Sequence, residues 1–216
     1  MPIMTLSGTE IVTNITPISN YKGNTVNIIT IKKSPTKIDM LTRIFLSLPI
    51  ELRAHTSRVA FFADLMAKKV DILPNDININ VYVYSVWLGC LYHHIGESLL
   101  NENIWDFSSN SNVEKEIVLD IVRNCCERYD ASGCLDKLHD ENISLAARLA
   151  GLADTLDELY FNVYVNEVDI QSKIAQFFES KGESLFGTDA MKFFNASREE
   201  IFYYYAILQQ KHKQGA

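Results

Sequence analysis

From Ile38 to the end of the chain, apolar residues recur at spacings of three and four almost without interruption, the period of a helix rather than of a strand. That run takes up most of the 216 residues, which restricts the chain to an all-α core. The spacing predicts helices over Ile38–Leu48, from Pro49 to Val70, over about Asn80–His93, from a Ser111/Glu114 capping box through about Arg128, and from a Ser144 cap to about Tyr160. Two or three shorter helices then end the chain, the last from near Ser197. The stretch Asn101–Asn112 is polar and reads as a loop. At 47% hydrophobic residues, the chain can bury a substantial core.

Ahead of Ile38 the pattern changes. From about Thr5 to Lys33 apolar and polar residues alternate weakly around NYKGN, which predicts a β-hairpin with Gly23 in its turn, closed by Ser34-Pro35. A two-stranded piece is too small to stand alone. The expected division is a β appendage at 1–36 and a helical domain at 37–216.

Charge and hydropathy exclude two classes of function. With 27 acidic against 20 basic residues, a formal charge of −7, the chain lacks the electrostatic footprint of nucleic-acid binding. No run approaches the ~18 apolar residues of a membrane span, and the start MPIMTLSGTE has no signal-peptide pattern. A cytoplasmic protein is expected, with Cys90, Cys125, Cys126 and Cys134 as thiols.

Three stretches in order carry the chemistry. They are RAHTSRVAFFADLMAKKV, with His55 and Arg58; LGCLYHHIGES, with His93 and His94; and NCCERYDASGCLDKLHDENISLAARLAGLADTLDEL, with Arg128, Asp130, Asp154 and Asp157. Together, from about Leu41 to Leu159, they resemble the HD-domain metal phosphohydrolases. The likeness is to the HD-GYP branch, which hydrolyses the bacterial second messenger cyclic di-GMP and reads H-[ST]-x-R-V, H-D-I-G-K and H-H-E-R-x-D-G-x-G-Y-P, then I-P-L-A-A-R and V-A-D-x-x-D. The resemblance implies an HD-domain helical bundle and places His55, His93 and Asp154 on metal-ligand positions. Imidazoles and a carboxylate from separate helices suit one divalent iron, manganese or zinc ion, which can activate water and polarise a phosphate.

The chain also departs from that pattern. His94 stands where the family has its aspartate; a carboxylate can bridge two ions, whereas a neutral imidazole has a single lone pair. At most one ion is expected, with His94 as a fourth ligand, and an empty pocket is the open alternative. Cys125 and Cys126 replace paired histidine ligands and read more simply as buried small hydrophobes. Glu97 replaces a lysine that faces the scissile phosphate. At roughly 4–5 Å and an effective dielectric of about 20, each charge is worth roughly 3–4 kcal/mol, so the reversal would cost orders of magnitude in rate unless Glu97 turns outward. Gly133-Cys134-Leu135 lacks the family's proline turn, and Asn162-Val163-Tyr164-Val165 lacks its phosphate-binding arginines.

Plainer readings stand beside these. His55 would serve equally as a hydrogen-bonded contact between helices, and one of His93 and His94 could simply bond Asp154. Asp154 and Asp157, three apart, could be a solvated helix edge, with Asp154 expected to point inward. Arg128 and Asp130 are substrate-binding candidates or a salt-bridged corner. Phe202-Tyr203-Tyr204-Tyr205 reads as a packed face, part of it an interface, since four consecutive aromatics cannot face one way. Function is expected to be that of a degenerate HD-GYP-like regulatory or binding module without cyclic-di-GMP hydrolysis, acting through a protein partner or a homodimer. The alternatives are a mononuclear phosphohydrolase or phosphodiesterase of altered chemistry, and a nucleotide sensor.

Overall fold

The computed structural model describes residues 12–19, 25–32, 42–43, 45–73, 77–95, 112–133 and 136–214, and helices dominate them. Glu97, Ser111, Cys134, Leu135 and the turn around Gly23 lie outside the described residues. So does part of the helix expected over Ile38–Leu48; of that segment, residues 42–43 and 45–47 are helical. Strands β1 (Val12–Ser19) and β2 (Thr25–Lys32) pair antiparallel, Val12 opposite Lys32 and Ser19 opposite Thr25.

The helices are α1 (Ile50–Ala67), α2 (Ile79–Tyr92), α3 (Asn112–Asn124), α4 (Leu145–Glu158), α5 (Ile170–Phe186) and α6 (Thr188–Gln214). Three of the starts have a local cause. Pro49 precedes α1, where its missing N–H breaks no helical bond. Asn78 caps α2 by accepting from the Asn80 N–H at 2.9 Å, and Ser144 caps α4 by accepting from the Ala147 N–H at 3.1 Å.

Helix α1 packs on both α2 and α4. Its buried stripe, Thr56, Val59, Ala60, Ala63, Met66 and Ala67, repeats at three and four. The facing stripe of α4 is Ala146, Leu149, Ala150, Ala153 and Leu156. The alanines let the two backbones approach, and fully buried side chains such as Phe62 and Leu152 each contribute about 1.5–3 kcal/mol. Gly151 serves a second contact: a Cβ there would sit 2.4 Å from the Cys125 carbonyl oxygen, so the end of α3 rests on the α4 backbone.

The C-terminal part corrects the expectation of short helices ending in one from near Ser197. Two long helices are found instead, of 17 and 27 residues, divided at Gly187, whose φ of 82° stops α5. Ser197 lies buried inside α6 and donates to the Leu65 carbonyl of α1 at 3.2 Å. A serine that resembles a cap in sequence is here a polar tie between helices. Arg148 fixes the same region from α4: it donates to the carbonyls of Ile143 (3.1 Å) and Phe186 (3.2 Å) and pairs with Asp189.

The aromatic run divides as its crowding requires. Tyr205 is fully buried, stacked between Tyr160 (ring centroids 3.7 Å apart) and Phe62 (4.2 Å), whereas Tyr203 is 45% exposed. Among the described residues, no helix is long and apolar enough to cross a membrane.

Candidate metal centre

On α1, His55 and Arg58 are three residues apart, and on α4 so are Asp154 and Asp157, which places each pair on one helical face. The two pairs meet. His55 Nδ1 lies 2.8 Å from Asp157 Oδ2 and its Nε2 lies 3.1 Å from Asp154 Oδ1. Arg58 forks onto Asp157 through Nε (2.7 Å) and Nη2 (2.8 Å). His93 and His94 enter from the end of α2, with His55 Nε2 3.1 Å from His94 Nε2 and His93 Nε2 3.5 Å from Asp154 Oδ1. One donor atom from each of His55, His93, His94 and Asp154 lies within 4.8 Å of the others. All four expected ligands therefore come together.

Hydrogen bonding decides which nitrogens are free to act as ligands. The Cys90 carbonyl can only accept, so His93 Nδ1 donates to it and, in the neutral ring, Nε2 holds the lone pair. That Nε2 is buried without a hydrogen-bond partner, facing a carboxylate oxygen. Asp157 likewise can only accept, and it takes His55 Nδ1–H, both Arg58 donors and the Tyr205 hydroxyl at 3.0 Å. His55 Nε2 is then also a lone pair. Acceptors this close together, His55 Nε2 at 3.1 Å and His93 Nε2 at 3.5 Å from Asp154 Oδ1, call for a cation or a proton among them. A tetrahedral ion with ligands at about 2.0–2.2 Å would hold them roughly 3.4 Å apart, near the 3.1–3.5 Å of the His55–Asp154, His55–His94 and His93–Asp154 pairs, with all four atoms within 4.8 Å of one another. The donor set fits a single divalent ion, with the Asp157–His55 bond as the outer support that metal-bound histidines usually carry.

Without an ion a proton takes that place. Burial disfavours charge on His55, but the hydrogen bonds and negative charges of Asp154 and Asp157 outweigh it and push its pKa up to about 9. Burial, and then the neighbouring His93 and His55, pull His94 down to about 4. Burial would raise Asp154, yet its contacts with His55 and His93 hold it well below the usual carboxylate range.

Beyond the ligands, the end of α4 shapes the surroundings. A π-turn, Leu159–Val163, is closed by the Tyr164 N–H on the Leu159 carbonyl at 2.8 Å. It sets the Phe161 ring against the Arg58 guanidinium, 4.0 Å from the ring centroid. A cleft of about 420 Å³ opens beside His55 and His94, and Glu51, Glu158, Phe161 and Asn162 help to line it.

Arg128 and Asp130 do not share this arrangement. Arg128 donates to the Cys125 and Glu127 carbonyls (3.1 and 2.9 Å) and to Thr155 Oγ1 (3.3 Å), tying α3 to α4. Asp130 accepts from the Ser132 N–H at 3.0 Å and from the Ser184 hydroxyl at 3.4 Å. Cys125 is buried, and burial, with the Asp154 charge, pushes its thiol up to about 12. The reading of Asp157 as a solvated edge is corrected: its side chain is 2% exposed, against 31% for Asp154. Sequence reasoning also missed its partners Arg58 and Tyr205: a spacing of three does not separate a buried edge from a solvated one, and no signal pointed to a tyrosine 48 residues on. No protein-family model matches this chain, and no curated protein matches it significantly.

Proposed function

We propose that this chain is a degenerate HD-GYP-like domain, with β1 and β2 as an appendage, that holds one divalent metal ion and acts in signalling as a regulatory or binding module rather than hydrolysing cyclic di-GMP. The observation that carries it is the buried His93 Nε2, without a hydrogen-bond partner and turned toward Asp154 and His55. An ion satisfies all four donors at once. Four protein ligands fill a tetrahedral zinc site, the pattern of structural rather than catalytic centres. Arg58, the cation beside the cleft, is already committed to Asp157, while Glu51 and Glu158 add negative charge there. Away from the ion itself, the cleft therefore offers the anionic phosphodiesters of cyclic di-GMP poor electrostatic complementarity.

Metal analysis of the purified chain should return about one ion per molecule, lost in His93→Ala, and no cyclic-di-GMP turnover with added manganese. Two ions per chain, or hydrolysis of the dinucleotide, would overturn the reading. The cleft beside His55 and His94 favours a second reading, a mononuclear phosphohydrolase, because iron or manganese accepts more than four ligands and leaves positions for water. Manganese-dependent turnover of a generic phosphodiester, abolished in His55→Ala, would establish that reading instead.

A further inference from the structure

Resting on the metal reading above, we infer that Asp157 is the positioning residue of the centre, and that helix α6 is part of it through the Tyr205 hydroxyl, so that metal occupancy and the docking of α6 are coupled. Asp157 touches no candidate metal position. Its two oxygens receive donors from two elements, His55 Nδ1 and the Arg58 fork from α1 and Tyr205 from α6, and Asp157 itself belongs to a third, α4. With a carboxylate at Nδ1, His55 must keep its proton there and present Nε2 to the ion. Tyr205 holds the second oxygen and is itself clamped between Tyr160 and Phe62. An ion that draws on His55 strengthens the Nδ1–H donor and hence its bond to Asp157, and the carboxylate is held in place by the α6 hydroxyl. Linkage makes the effect reciprocal: whatever loosens α6 weakens the ion, and the ion tightens α6.

The test uses the full chain and zinc alone, titrated against a chelating dye. Tyr205→Phe keeps both ring stacks and removes one donor. It should bind zinc about tenfold more weakly, and in chelator it should still fold, with a melting temperature lowered only by the one buried hydrogen bond it loses. Asp157→Asn should weaken binding by about 10- to 100-fold, and long-range proton–nitrogen spectra should report His55 moving away from the Nδ1–H form, a change that mere loosening of the fold would not produce. In the wild type, zinc should slow amide exchange across 201–208. If Tyr205→Phe binds zinc like the wild type, or exchange over 201–208 ignores zinc, the coupling fails while the metal reading stands. A wild-type chain that binds no zinc overturns both. Should Asp157→Asn not fold, Tyr205→Phe and the wild-type exchange measurement still decide.

Discussion

A neutral imidazole has one proton and one lone pair, and its partners decide which nitrogen holds which. His55 is the clearest case, and it gives the metal-free protein a definite pH response. Its pKa rises from 6.5 to about 9 on folding, so its contribution to stability is complete below about pH 6.5 and is lost as pH climbs through 9. His94 runs the other way. Its pKa falls from 6.5 to about 4, so protonating it costs stability as pH drops from 6.5 through 4. In chelator, the urea midpoint should therefore decline on both sides of about pH 6.5, and His55→Asn should remove the alkaline decline between 6.5 and 9. An unchanged alkaline slope in that variant would refute the assignment. The resemblance to the HD-domain pattern put His55, His93 and Asp154 on one site, and the three do lie together. Asp157 was not legible in the sequence, since a spacing of three fits a solvated edge as well as a buried one and only the tertiary partners Arg58 and Tyr205 decide between them.

Helix starts were readable where a cap does local chemistry, as at Ser144, and misread where a polar residue is satisfied across the core, as at Ser197. The α5–α6 division was likewise hidden, because one glycine at a positive φ looks like any other glycine in sequence. Gly151 offers a test of how helix packing sets the site. An added Cβ would meet the Cys125 carbonyl at 2.4 Å and Arg128 Nη1 at 3.3 Å. Backbone cannot step aside as a side chain can, so Gly151→Ala should destabilise by about 1–3 kcal/mol. It should also weaken metal binding by displacing Asp154, one turn further along α4. Gly182→Ala is the contrast: its Cβ would meet only Met191 side-chain atoms, at 2.5 and 2.6 Å, and a flexible methionine can move. Chemical denaturation and zinc titration of the two variants should separate them; equal effects would remove the α3–α4 contact as the constraint on Asp154.

The four candidate ligands come from α1, the end of α2 and α4, the elements whose mutual packing forms the centre of the helical core. Pulling either neighbour from α1 dismantles the site, so an ion bound there is bound to the folded domain and not to a local segment. Linkage then makes the ion a stabiliser of the whole helical unit: at a free concentration 100 times its Kd it adds about 2.7 kcal/mol. For a chain of this length each kcal/mol moves Tm by about 2–4 °C, which places the shift at roughly 5–11 °C. Chelator should reverse it, and His93→Ala, which deletes a ligand buried in the core, should show almost none. Zinc that binds stoichiometrically yet leaves Tm unchanged would have to bind the unfolded chain as tightly as the folded one. That outcome would place it on exposed thiols and histidines, and not among the three helices that bring His55, His93, His94 and Asp154 together.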